Sequence, residues 1–134
     1  MADDSQQPAV PVAARVHPAK RRVVIADVKP TVPARHYDLA SRRIAEAPHA
    51  QAMKASEVTM QPGAWAEGHV HPEHEQLFIV LSGTMGLRIE GAELRLGPGE
   101  AALVLPGELH ENFNTASGET RYLVISAKVA RSGP

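Results

Sequence analysis

An all-β fold, sandwich or barrel, is what this sequence predicts, and three observations carry the expectation. From residue 50 onward, short runs with strand character are punctuated by turn residues at close intervals. No stretch of that half holds a helical period, which disfavours alternating strands and crossover helices. The 134 residues fit a single core, and with 43% hydrophobic but only 4% aromatic residues that core must be built mostly of Val, Leu, Ile and Ala.

The elements follow in order. Residues 1–20, with Pro8, Pro11 and Pro18 and no sustained period, read as a disordered or extended arm, leaving 21–130 for the folded domain. Arg22-Val23-Val24-Ile25-Ala26 reads as a first strand, stopped near Pro30 and Pro33. From His36 to Pro48 the pattern is ambiguous, since Leu39, Arg43 and Ile44 suit either a helix or an irregular strand. Met53 to Met60 reads as a strand ending at Gln61-Pro62-Gly63, and Gln76 to Leu81 as one ending at Ser82-Gly83. Thr84 to Glu90 meets Gly91-Ala92 and returns through Glu93 to Leu96 as a hairpin. Gly97-Pro98-Gly99 turns the chain into Ala101 to Leu105, and Pro106-Gly107 turns it again before His110 to Asn114. Arg121 to Lys128 is the last strand, and Ser132-Gly133-Pro134 a short tail.

Charge and composition narrow the function. Fourteen basic residues nearly balance 15 acidic ones, and Lys20-Arg21-Arg22 is the one basic cluster, so no nucleic-acid partner is expected. Apolar runs such as Leu77 to Leu81 are too short to span a bilayer, so no membrane partner is expected either. Met1-Ala2-Asp3-Asp4 has neither the basic nor the apolar region of a signal peptide, which makes a cytoplasmic location the default expectation. With no cysteine, disulfides, thiolate zinc sites and cysteine nucleophiles are excluded, and any metal must be held by nitrogen and oxygen.

Such a donor set stands in two short blocks. The first runs Gly63, five residues, His69-Val70-His71, four residues, Gln76, six residues, Gly83. The second runs Gly99, five residues, Leu105, one residue, Gly107, two residues, His110, three residues, Asn114. Imidazoles at i and i+2 of a strand project from one face, roughly 6–7 Å apart at Cα, close enough to grip one ion. A His-x-His pair alone is more often a surface or satisfied core pair, but here Gly63 and Gly83 frame it with turns. A straight strand would send residues 71 and 76 to opposite faces; the bend at Pro72-Glu73-His74 removes that parity conflict.

These blocks resemble the two motifs of the cupin superfamily, G-x5-H-x-H-x3-4-E-x6-G and G-x5-P-x-G-x2-H-x3-N. Gln76 stands where the family usually has Glu, and Leu105 replaces the Pro, with Pro106 beside it. Fifteen residues separate Gly83 from Gly99, as in compact single-domain bacterial members of the cupin 2 type. The resemblance spans about residues 50 to 128, with the motifs within 63–114. It implies an RmlC-like jelly-roll β-barrel (a double-stranded β-helix) holding one divalent transition metal through His69, His71, Gln76 and His110. Glu75 is the rival to Gln76, because the family also allows a three-residue gap; the spacing to Gly83 favours Gln76. Imidazole and oxygen ligands suit Zn, Fe, Ni, Mn or Cu alike.

Three neutral imidazoles and an amide leave the ion's charge uncompensated, which favours anionic substrates such as carboxylates or enediolates. The pattern resembles small cupins of uronate and pectin breakdown, and so implies Lewis-acid ketonisation or isomerisation of a sugar acid, keto acid or enol. An Fe(II)-dependent dioxygenase and a non-catalytic small-ligand-binding cupin are the alternatives. His74 and Tyr122 are candidates for proton transfer, and Phe78, Arg88 and Phe113 for substrate contact. Asn112 and Asn114 share a face with His110 and could orient it; Trp65 is a candidate lid or core anchor. His17, His36 and His49 lie in segments without a motif and are expected to be exposed. Cupins commonly dimerise through sheet edges or N-terminal strands, and the expected Arg22–Ala26 strand suits a homodimer.

Overall fold

The computed structural model describes residues 15–46, 50 and 52–129. Most of the expected N-terminal arm, His49 and the C-terminal tail lie outside the described residues. Among them are eight strands: β1 His36–Ala45, β2 Met53–His69, β3 His74–Ser82, β4 Met85–Ile89, β5 Ala92–Leu96, β6 Ala101–Val104, β7 His110–Asn114 and β8 Thr120–Lys128. Every pairing is antiparallel, and the order across the sheet is β5-β4-β7-β2-β8-β3-β6, with β1 on β2.

β2 makes this sheet a barrel. Its first half pairs with β8 and its second half with β7, while β1 follows both. The corner lies at Pro62-Gly63, where Gly63 takes φ 81°, a left-handed conformation that an L side chain resists. The expected stop after Met60 is therefore a bend within one strand. The two flanks fold toward each other over Val58, Met60, Phe78, Val80, Met85, Leu87, Leu96, Val104 and Tyr122, so nearly closing a jelly-roll barrel.

The expected strand at Arg22–Ala26 does not form. Ile25–Asp27 is a single 3-10 turn, and Val23 and Val24 are each 46% exposed, since that segment finds no sheet edge to complete. The first strand is β1, in the ambiguous region. Leu39, Ser41 and Arg43 face inward there, so polar residues occupy inner positions where the sequence pattern looks for apolar ones. The edge-strand support for a homodimer is lost with Arg22–Ala26.

Candidate metal centre

His69 is the last residue of β2 and His110 the first of β7, and the two are directly paired across the ladder. Their ring centroids are 4.4 Å apart. His71 stands just beyond β2, its carbonyl accepting a 3.0 Å hydrogen bond from the Gly107 N–H in the turn before β7. This is how the Pro106-Gly107 turn serves the site despite Leu105. The ligating nitrogens of His69, His71 and His110 can all lie within 4.8 Å of one another.

The hydrogen bonds select the tautomers. Nδ1 of His69 lies 2.7 Å from the Glu67 carbonyl, and Nδ1 of His110 lies 3.1 Å from the Glu108 carbonyl. Carbonyls only accept, so each neutral ring carries its proton on Nδ1 and leaves a lone pair on Nε2. His110 is buried, and its Nε2 has no hydrogen-bond partner.

Gln76 reaches the same cavity from β3. Its Nε2 donates to Ser126 Oγ at 2.9 Å on the neighbouring β8, while its Oε1 is buried without a partner. Two orphaned buried acceptors, one nitrogen and one oxygen, are a costly feature without an electropositive partner. The three imidazoles, His69, His71 and His110, form a cluster that could hold a metal ion. Glu75 takes the opposite parity and does not line the cavity.

The cavity, about 410 Å³, is lined by Leu39, Val58, Phe78, Tyr122 and Val124 on its apolar side and by Ser41, Ser56, Ser126, Arg43 and Lys54 on its polar side. A cupin-domain family model matches residues 56–126, more than half of the chain. The chain belongs to the cupin family. Solved structures agree on the fold. A polyketide cyclase, RemF from Streptomyces resistomycificus, is 28% identical with a TM-score of 0.69, over 83% of this chain and 86% of that one. A predicted oxalate decarboxylase from Thermotoga maritima is 17% identical with a TM-score of 0.73, over 81% and 99% respectively. A cupin-superfamily sugar phosphate isomerase from Silicibacter pomeroyi is 18% identical with a TM-score of 0.70, over 81% and 76%. No curated protein matches the sequence.

Electrostatics in this cupin favour the neutral form of His71 and His110, the form that ligates metal. His71 is held down at about 4, by burial first and then by the charges of His69, His110, His74 and Lys54. Burial likewise lowers His110, partly offset by the Glu108 carbonyl. Burial pushes the Tyr122 phenol up to about 12, against the Asn112 amide that donates to its oxygen at 3.0 Å. The phenol therefore stays protonated, its oxygen accepting from Asn112.

Of the other sequence candidates, Phe78, His74 and Tyr122 line the cavity. Arg88 and Phe113 do not. Phe113 has odd parity to the inward His110, and it packs outside the barrel under Arg88, whose guanidinium lies 5.2 Å from the ring centroid. Arg88 also pairs with Glu93 and Glu111 on that surface. Trp65 is neither lid nor core anchor: 39% exposed, it stacks on Tyr37 and donates to Glu111 at 3.2 Å. Asn112 and Asn114 leave His110 alone; Asn112 holds Tyr122, while Asn114 bonds the carbonyls of Met60, Gln61 and Gly118.

The sequence reading missed one wall. Arg35, His36, Arg43 and Lys54 line the cavity, and His36 lies 5.8 Å from His69 between ring centroids, although it was expected to be free on the surface. The signal available for β1 was only its own weak alternation, Leu39, Ser41, Arg43. His17 is exposed as expected.

Proposed function

We propose that this cupin is a metal-dependent enzyme that ketonises or isomerises a small, oxygen-rich anionic substrate, a sugar acid, keto acid or enol. The observation that carries the reading is the pair of unpartnered buried acceptors, His110 Nε2 and Gln76 Oε1, beside two further imidazoles at the edge of a ligand-sized cavity. His69, His71, Gln76 and His110 are the proposed ligands of one divalent ion.

A bound ion would supply Lewis acidity toward a carbonyl or enol oxygen. The rest is done by the chain. The Glu67 and Glu108 carbonyls fix two imidazoles in the ligating tautomer, and Ser126 fixes the Gln76 amide with its oxygen free. Tyr122 offers an O–H to the substrate oxygen from the apolar side of the cavity. His74, part-buried at the cavity wall, moves the proton to or from carbon. Phe78, Val58 and Val124 exclude water from that side. The structural neighbours include a polyketide cyclase and a sugar phosphate isomerase, a likeness that accords with this class.

The proposal extends to a homodimer. Leu77, Ile79, Leu103, Leu123 and Ile125 alternate with cavity-facing residues and so form one outward apolar face across β6, β3 and β8. No helix among the described residues is long and apolar enough to cross a membrane.

The test has two steps. Protein purified without added metal is analysed for bound metals, and then screened against unsaturated uronates and related keto acids for ultraviolet change, with and without chelator. Stoichiometric metal with chelator-sensitive turnover is the expected result. Metal-independent turnover, or failure to take up any of the five candidate metals, overturns it.

A further inference from the structure

Lys54 is a charged group of the cavity wall with no role in the chemistry above. Lys54 lines the cavity from β2 with the buried Ser56 and Val58 but is itself exposed, and it makes no hydrogen bond or ion pair among the described residues. The other cations of the wall differ: Arg35 stands toward the His69 end, its carbonyl accepting from the Glu67 N–H at 2.9 Å. Arg43 is held by Ser56 Oγ at 2.9 Å and by Glu46 at 3.2 Å. The carboxylate that lines the cavity, Glu67, already accepts from Tyr37 at 3.2 Å. The register then sets the distance. Lys54 pairs with Ser126, and Ser126 pairs with Gln76, so Lys54 and Gln76 stand on the same level two strands apart. That separation is about 10 Å at Cα, with both side chains pointing into the same space.

We propose that Lys54 is the specificity-determining residue of the site, binding a carboxylate on the substrate's far end while the reacting oxygens meet the imidazole end. This rests on the metal-centre reading above. A lysine is a point charge, and with Arg43 engaged elsewhere the end can match a single-charged carboxylate better than a phosphate, which calls for several convergent donors. The Ser56 and Ser126 hydroxyls between the two ends suit a hydroxylated or polar chain. The substrate class is thus a short dianionic acid, with a carbonyl or enol acid at one end and a carboxylate at the other.

The probes are 2-oxoglutarate and 2-oxopentanoate, equal in chain length and differing in the distal carboxylate, titrated calorimetrically into cobalt-loaded protein. The wild type is expected to bind 2-oxoglutarate roughly tenfold more tightly. Lys54→Gln removes that preference while leaving cobalt content and 2-oxopentanoate affinity unchanged, and Lys54→Arg retains most of it. Inorganic phosphate competes with 2-oxoglutarate no better than acetate does. Equal binding of the two probes by the wild type, including binding of neither, overturns the lysine assignment, as does a preference that survives in Lys54→Gln. Competition by phosphate well beyond acetate overturns the carboxylate class. A failure to take up cobalt or any of the five candidate metals is separately visible and overturns the metal reading, and this one with it.

Discussion

Replacing His110 with leucine separates the site's chemistry from the fold's stability, and the two should move in opposite directions. His110 is 1% exposed, donates through Nδ1 to the Glu108 carbonyl, and leaves Nε2 unpartnered. Leucine forfeits that hydrogen bond, about 1 kcal/mol, while the half-exposed segment of Glu108 lets water replace the donor. It also relieves a buried acceptor with no partner, about 1–3 kcal/mol. The metal-free variant should therefore be between unchanged and about 2 kcal/mol more stable than metal-free wild type. For a chain of this size that is a rise in Tm of roughly zero to 8 °C. Zinc at a hundredfold excess over its Kd should stabilise the wild type by about 2.7 kcal/mol, roughly 10 °C, and leave the variant unmoved. Calorimetric melts with chelator and with zinc give all four values. A variant that melts as far upward with zinc as the wild type refutes the ligand role. A chelated variant that melts well below chelated wild type refutes the view that the orphan nitrogen is a cost the metal offsets.

Four further outcomes follow from the geometry. Gln76→Glu supplies a carboxylate that Ser126 can still hydrogen-bond; it should tighten zinc roughly tenfold in chelator competition while weakening anionic probes, because one unit of the ion's charge is cancelled. Tyr122, raised to about 12 by burial, contributes stability that is fully present below pH 10 and lost as pH rises through 12; chemical denaturation from pH 9 upward should show a loss of up to about 3 kcal/mol that Tyr122→Phe lacks. Gly83→Ala would place a Cβ 2.3 Å from Thr120 Oγ1 at φ 79°, and should cost about 3 kcal/mol in urea without changing metal content of the folded protein. Light scattering on a sizing column should report a dimer that Leu103→Lys, outside the barrel and 51% exposed, converts to monomer with its metal retained.

The turns were legible because glycine is a local signal. Gly63, Gly83, Gly99 and Gly107 all adopt positive φ, the conformation their motif positions demand, and the strands between them lie close to where the punctuation puts them. The histidine spacing was legible for the same reason: His69 and His71 are local, and the Gly107 turn that brings His110 across is part of the motif. Parity, applied further, separates Phe113 from His110 and Glu75 from Gln76. What sequence does not carry is the opposite wall. β1 contributes Ser41 and Arg43 through pairing with β2, and both are polar because they face a cavity rather than a core. Hydrophobic periodicity detects burial against apolar neighbours, so a strand whose inner face serves a ligand looks like no strand at all.

That failure locates the division of labour in the barrel. β4 and the inner end of β3 hold Phe78, Val80, Met85 and Leu87, wholly apolar and closely packed, and they give the imidazoles a rigid floor, with Phe78 6.0 Å from His110 between ring centroids. Across from it, β1, β2 and β8 turn Arg43, Lys54, Ser56 and Ser126 inward, where a purely structural barrel would place valine or leucine. At the buried Ser56 this forgoes roughly 1.5–3 kcal/mol of apolar burial. A fold tolerates that expense on one wall only if the other is well packed, which is the arrangement here. The polar residues are thus concentrated where a ligand, rather than the protein's own core, is their proper neighbour.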